Sequence, residues 1–305
     1  MFHFKKTVIT TLLLLILSAI SSSIAFASDG SNNEDSINEK YGLPVVVYGE
    51  KLSSSQKDEV RKLLNVDDTS KVKEITVTGD DLVTYIKGDR QANMYSSAKI
   101  IRKDPGAGLV IKQVTPENIT EVTNEMYANA LLTAGIQDAI VYVASPVKVS
   151  GHSALVGIYK AYDEGKGTSL NKDRTEVANE ELNLATNLAK KDGLDKDKVG
   201  ELLTEIKKEI ANQNPATKEE IAKIIDDKLK KLKISLSPQD RQLLIDLFEK
   251  MRHLNINFDT VKSQLDNLSK DIKKRFNDAV GDKGFFQKVG DFFKKLFASI
   301  KSIFS

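Results

Sequence analysis

Apolar and polar positions change rhythm once along the chain. From Pro44 to Glu164 short apolar runs alternate with stretches of helical periodicity. PVVVYGE (44–50) predicts a strand, and Ser53-x-x-Gln56 has the spacing of a capping box that opens a helix. KEITVTG (73–79) predicts a second strand, with a short helix from Asp80. AKIIRK and GLVIKQV flank Asp104-Pro105-Gly106, the pattern of a hairpin. Thr115 followed by Pro116 predicts the start of a helix running to Gly135. DAIVYVASPVKV (138–149) predicts a long apolar strand, and HSALVGIYKAYDE (152–164) a helix. Beyond these, apolar residues recur three and four apart in ELNLATNLA, VGELLTEI, IAKIIDDKL and RQLLIDLFEKM, and at Val261, Leu265, Leu268, Ile272 and Phe276. Gly193, Pro215 and Ser237-Pro238 punctuate them into about five antiparallel helices.

The aromatic residues divide in the same way. All eight Tyr lie between Tyr41 and Tyr162, whereas past residue 27 every Phe lies between Phe248 and Phe304. The expected fold class is therefore α+β: an N-terminal layered α/β domain (44–165), a linker (166–173), and an all-α helical module (174–283) ending in an amphipathic helix (284–305). Before these, Lys5 and Lys6 precede an apolar run that closes on Ala25-Phe26-Ala27, the form of a cleaved signal peptide over residues 1–27. Residues 28–43 open with SDGSNNEDSINE, whose polarity predicts disorder. The expected location is accordingly outside the cell or in its envelope. Removing Lys5 and Lys6 with the leader leaves 43 cations against 43 acids, so no general basic field calls for nucleic acid.

The segment from Met126 to Glu164 carries MYANALLTAGIQDA, then VSG, then ALVGIYKAY. On these residues the chain resembles the YpuA-like family of secreted Gram-positive proteins, which carry a domain of unknown function. The resemblance extends over most of the chain past the leader, and it implies no activity, cofactor or site residue. His152-Ser153 stand where members carry small or hydroxyl residues, which weighs against a catalytic role for His152.

The residues themselves offer little chemistry. With no Cys, thiol nucleophiles and Cys/His zinc sites are excluded, and no cofactor motif or metal-ligand spacing is present. A Ser-His-Asp arrangement could use His152 with Ser150 or Ser153 and Asp138, but both serines flank the histidine in sequence, as residues capping a helix would. His253 lies in the other half. Paired acids at Asp67-Asp68, Asp80-Asp81 and Glu180-Glu181 could support glycosidase chemistry, yet adjacent acids ordinarily sit in water. The acids of 192–197 lack EF-hand spacing and read as a helix end at Gly193 followed by a new start. Gly106-x-Gly108 lacks the Lys of a phosphate loop and reads as a turn.

The last segment is different. At 100° per residue, Phe285, Phe286, Val289, Phe292, Phe293, Leu296, Phe297, Ile300, Ile303 and Phe304 fall within an arc of about 140°. Lys288, Asp291, Lys294, Lys295 and Lys301 lie outside it. At about 1.5–3 kcal/mol per large side chain, burying such a face is worth well over 10 kcal/mol. Its cover is the helical module, a protein partner or second copy, or an anionic membrane surface. The functional expectation is a non-catalytic envelope protein with an interaction head, of unknown ligand, and a membrane- or partner-seeking tail. The tail residues named for that contact are Phe285, Phe286, Val289, Phe292, Phe293, Leu296, Phe297 and Ile300, with Lys288, Lys294, Lys295 and Lys301. The alternatives are an envelope-active hydrolase using paired carboxylates on cell-wall polymers, and a membrane-active toxin.

Overall fold

The computed structural model describes residues 40–165, 169–191 and 194–281. The leader, most of the acidic stretch after it, part of the linker, Asp192-Gly193 and every tail residue named above lie outside them. The described chain is an α+β structure: a five-stranded mixed sheet with helices between its strands, then a run of six α-helices from His152 onward.

The strands are β1 (Val45–Gly49), β2 (Lys73–Val77), β3 (Ser97–Arg102), β4 (Leu109–Gln113) and β5 (Ala139–Ala144), in the order β2-β1-β3-β5-β4. β1 and β2 are parallel, joined through helix α1 (Ser54–Leu63). β4 and β5 are parallel, joined through helix α3 (Asn124–Ala134). β3 is antiparallel to both β1 and β5. Parallel neighbours require a crossover, and the two intervening helices supply it.

The predicted capping box is present: Ser53 accepts from Gln56 N while the Gln56 side chain accepts from Ser53 N. Helix α2 (Gly79–Ile86) follows β2 as expected, opened by a box between Thr78 and Asp81. Three local expectations are overturned by distant contacts. β3 and β4 do not form a hairpin, because β5 lies between them. The connection instead wraps the foot of β5, where Gly106 N and Gly108 N both donate to Asp138 Oδ1 at 2.9 Å. β5 carries AIVYVA and gains two paired edges in this position, while β4, with Lys112 and Gln113, takes the sheet margin.

The helix predicted from Thr115 begins only at Asn124, with Thr123 as its N-cap. The buried Thr115 hydroxyl is already committed: it accepts from Ser145 N at 2.9 Å and donates to Ser145 O. Residues 116–118 turn, with Asn118 N donating to Thr115 O, and an isolated bridge between Ile119 and Val149 then holds the strap 115–123 beside the loop after β5. That strand ends at Ala144, earlier than predicted, because the Ser145 hydroxyl turns the chain by donating to Val147 O. Helix α4 (His152–Asp163) is capped by Gly151 and by no serine side chain.

Helices α5 (Lys172–Lys190), α6 (Lys196–Gln213), α7 (Lys218–Leu232), α8 (Pro238–His253) and α9 (Lys262–Gly281) complete the described chain. α3 packs against β4 on one side and against α5 and α6 on the other. It is buried from Glu125 to Ala134, which is why its sequence is apolar apart from the face that carries Glu125, Asn129 and Thr133. One core runs without a break from Val45 through Tyr127 and Tyr159 to Phe248, Phe258 and Leu265. The Tyr-rich and Phe-rich halves therefore share a single interior. A smaller cluster on the opposite sheet face joins Val46, Tyr48 and Ala144 to Val60 and Leu64 of α1.

Candidate functional site

The residues considered for a serine triad are not brought together. Asp138 sits at the foot of β5 and His152 beyond its far end, roughly 20 Å away for a strand of this length. His152 Nδ1 lies 3.1 Å from Ser150 Oγ, and Nε2 lies 3.2 Å from Thr186 Oγ1. Thr186 already donates to helix carbonyls, so Nε2–H donates to it and Nδ1 accepts from Ser150. The nearest acid, Glu121 at 4.0 Å, faces the same nitrogen as the serine. A triad needs serine and acid on opposite nitrogens. Burial holds this imidazole below the usual histidine range, and its contacts tie the 115–123 strap to α5. His253 Nε2 lies 3.1 Å from Glu249 Oε1 of its own helix.

The paired acids also go separate ways. Asp80 meets Arg90 at 2.8 Å, whereas Asp81 caps α2 and meets Lys160 at 2.8 Å. Asp68 caps the short turn at Thr69–Lys71. Asp195 caps α6 by accepting from Asp197 N. Glu180 faces solvent and pairs with Lys250, while Glu181 points inward. Among the described residues, no group of three His, Asp or Glu side chains is placed to hold a metal ion, and no helix is long and apolar enough to cross a membrane.

The cluster that sequence reasoning missed surrounds Glu181. Lys207 of α6 and Glu181 of α5 are 0% and 1% exposed, with Nζ 2.6 Å from Oε1. Lys207 Nζ also donates to Asn129 O and to Thr133 Oγ1, both at 2.8 Å. Thr133 Oγ1 donates to Glu181 Oε2 at 2.6 Å. One turn earlier, Asn129 Nδ2 donates to Thr204 Oγ1 at 2.9 Å and to Glu125 O at 3.0 Å. Arg174 Nε closes the C-terminal end of α3 by donating to Thr133 O at 2.9 Å, a cation where the helix dipole favours one. Burial pushes the Lys207 amine below the ordinary lysine range, against the pull of Glu181. The visible signal was the polar pair Asn129 and Thr133, four apart on one face of an otherwise apolar helix. Glu181 was named only as half of an adjacent acid pair expected in water, and nothing marked Lys207 among the 45 cations.

A second polar group lies on the opposite sheet face. Arg61 of α1 holds Glu74 of β2 with two hydrogen bonds, Nε to Oε1 at 2.8 Å and Nη2 to Oε2 at 2.9 Å. Tyr48 donates to the same carboxylate at 2.6 Å. The Arg61 bonds, foremost, bring the Glu74 carboxyl from 4.5 down to about 2. A carboxyl depressed by folding stabilises the folded state above its unfolded value and loses that contribution as pH falls toward its folded value. The stability gap between the natural chain and Glu74→Gln should therefore be full above pH 4.5 and close as pH approaches about 2. Urea unfolding across that window measures it, and a gap independent of pH would contradict the assignment.

Two clefts open on the surface. One of about 380 Å³ lies among the ends of α6 and α8, lined by Asn214, Asn255 and Asn257 over Phe248, Met251 and Phe258. The other, of about 330 Å³, lies between the β4 margin, α3 and α9, lined by Gly108, Val110, Ala128, Leu132, Gln264 and Leu268.

The motif that carried the family resemblance is now accounted for by packing. Tyr127 donates to Gly151 O at 2.6 Å, Asn129 and Thr133 build the buried cluster, and Asp138 holds the loop that wraps β5. Lys160 donates to Thr76 O and meets Asp81, fixing α4 to β2 and α2. No solved structure matches the chain. The chain is 37% identical over 269 residues to "Uncharacterized protein YpuA" of Bacillus subtilis (strain 168), covering 86% of this chain and 90% of that one. The family described as "Protein of unknown function (DUF1002)" matches residues 48–268, from β1 into α9, and the chain belongs to that family.

Proposed function

We propose that this is an exported, non-catalytic protein of the cell envelope, in which the described body is an interaction module and the C-terminal segment attaches it to an anionic membrane surface. The observation that carries the reading is the segregation of residues 285–304, with six of the twelve Phe on one arc and Lys288, Lys294, Lys295 and Lys301 off it. The leader over residues 1–27 supports export. Against the hydrolase alternative stands the fate of Asp80, Asp81, Glu180 and Glu181, whose carboxylates are engaged by different cations on different elements. The cleft beside β4 is the place this reading assigns to the ligand of the head.

Flotation tests the attachment. The chain lacking its leader should rise with vesicles of phosphatidylglycerol, and a truncation before Phe285 should stay at the bottom of the gradient. Equal flotation of both would remove the tail from the account. Leakage of an entrapped dye at the same occupancy would favour the toxin alternative over simple attachment.

A further inference from the structure

Thr133, Glu181 and Lys207 form a closed ring of polar contacts where α3, α5 and α6 meet. Lys207 Nζ reaches Thr133 Oγ1 at 2.8 Å, Thr133 Oγ1 reaches Glu181 Oε2 at 2.6 Å, and Glu181 Oε1 returns to Nζ at 2.6 Å. All three side chains are at most 1% exposed. The third polar contact of Nζ is Asn129 O at 2.8 Å, and the Phe258 ring lies 5.6 Å away. Oε1 stands against Nζ as an ion-pair contact. An ammonium has three N–H groups to direct, whereas a neutral amine has two and a lone pair. Two N–H groups serve Asn129 O and Thr133 Oγ1, and the third direction, an N–H in the ammonium and a lone pair in the neutral amine, is left for the carboxyl. The buried Tyr159 hydroxyl has no hydrogen-bond partner, and its ionisation is opposed first by burial and then by the Glu181 charge.

We propose that Lys207 and Glu181 condense spontaneously in the folded protein, forming a side-chain amide that ties α5 to α6 and releasing one water.

The ring of contacts provides for each atom. The ammonium first passes a proton through Thr133 Oγ1 to Glu181 Oε2, leaving a neutral amine beside a neutral acid. Nζ then bonds to the Glu181 carboxyl carbon. One Nζ proton passes to Thr133 Oγ1 as the proton of that hydroxyl passes to Oε2. The bond from carbon to Oε2 breaks, and Oε2 leaves with two protons as water. No oxidant or second substrate is required. Reactants held at contact in a rigid interior gain effective molarities on the order of 10⁵–10⁸ M, and a neutral amide replaces two buried charges. The chain has no Cys, so an amide of this kind would be its covalent brace.

Mass spectrometry of the unfolded full chain decides the matter. The natural chain should be lighter by one water than its residues require, and digestion should yield a branched peptide joining residues 181 and 207. Lys207→Arg, which keeps the charge but lacks the primary amine, should have its full mass. Thr133→Val, with helical circular dichroism intact, should also have its full mass, because the relay is gone. Full mass in the natural chain, water loss mapped to any other pair, or the same loss in Lys207→Arg overturns the proposal. Undiminished condensation in Thr133→Val overturns the relay.

Discussion

Replacing Lys207 by Met is expected to destabilise the protein by about 3–5 kcal/mol, because it leaves the Glu181 carboxylate buried without its cation. The effect comes mainly from the abandoned partner. Lys207→Met combined with Glu181→Leu should recover most of the loss, since a buried ion pair exchanged for apolar side chains of similar volume is often neutral or stabilising. The residual deficit should reflect Asn129 O and Thr133 Oγ1, each deprived of a donor. Urea midpoints of the three variants and the natural chain test the cycle. If the single and double variants were equally destabilised, the two charges would not be coupled, and the cluster would not be what joins α5 to α6. The recovery is expected where the two side chains remain an ion pair; where they have condensed, both variants lose the amide and both fall below the natural chain.

Gly151→Ala should cost about 2–4 kcal/mol, combining the left-handed backbone with a steric clash. Gly151 has φ of +105°, and an added Cβ would stand 2.7 Å from the Tyr127 hydroxyl and 2.8 Å from Ile119 Cγ2. These are the contacts that seat the 115–123 strap over the start of α4. Gly106 provides the control: its φ is +91°, but nothing lies within 4 Å of an added Cβ. Gly106→Ala should therefore show the backbone cost alone, about 1–2 kcal/mol. The difference between the two thermal or urea midpoints isolates the crowding. Equal effects at the two sites would mean that the strap shifts freely and that Tyr127 is not a rigid wall.

How far each element could be anticipated depended on the range of the interactions that form it. The Ser53–Gln56 box needs only residues three apart, and it is present as expected. The five later helices follow from apolar spacing and from breakers such as Pro215 and Ser237-Pro238. The hairpin expectation at Asp104-Pro105-Gly106 identified a real turn but the wrong neighbour, because strand order is settled by which strand gains most from two paired edges. Thr115 carries a sound local signal for a helix start, and a backbone thirty residues away claims its hydroxyl. The same holds for the buried cluster. Asn129 and Thr133 were visible as polar intrusions on α3, but their partners Glu181 and Lys207 were chemically indistinguishable from solvated acids and lysines.

By itself the sequence determined the fold class, the alternation of strands and helices before residue 165, the helical remainder, the family resemblance and the segregated Phe and Lys positions of the tail. Those features depend on residues within a few turns of one another, whose periodicity is written directly along the chain. Only the tertiary structure decided that the two halves share one core, that β5 divides β3 from β4, and that a lysine and a glutamate meet inside it. A buried charge survives only where another element brings its counter-charge, and that meeting is a property of the assembled packing rather than of either residue.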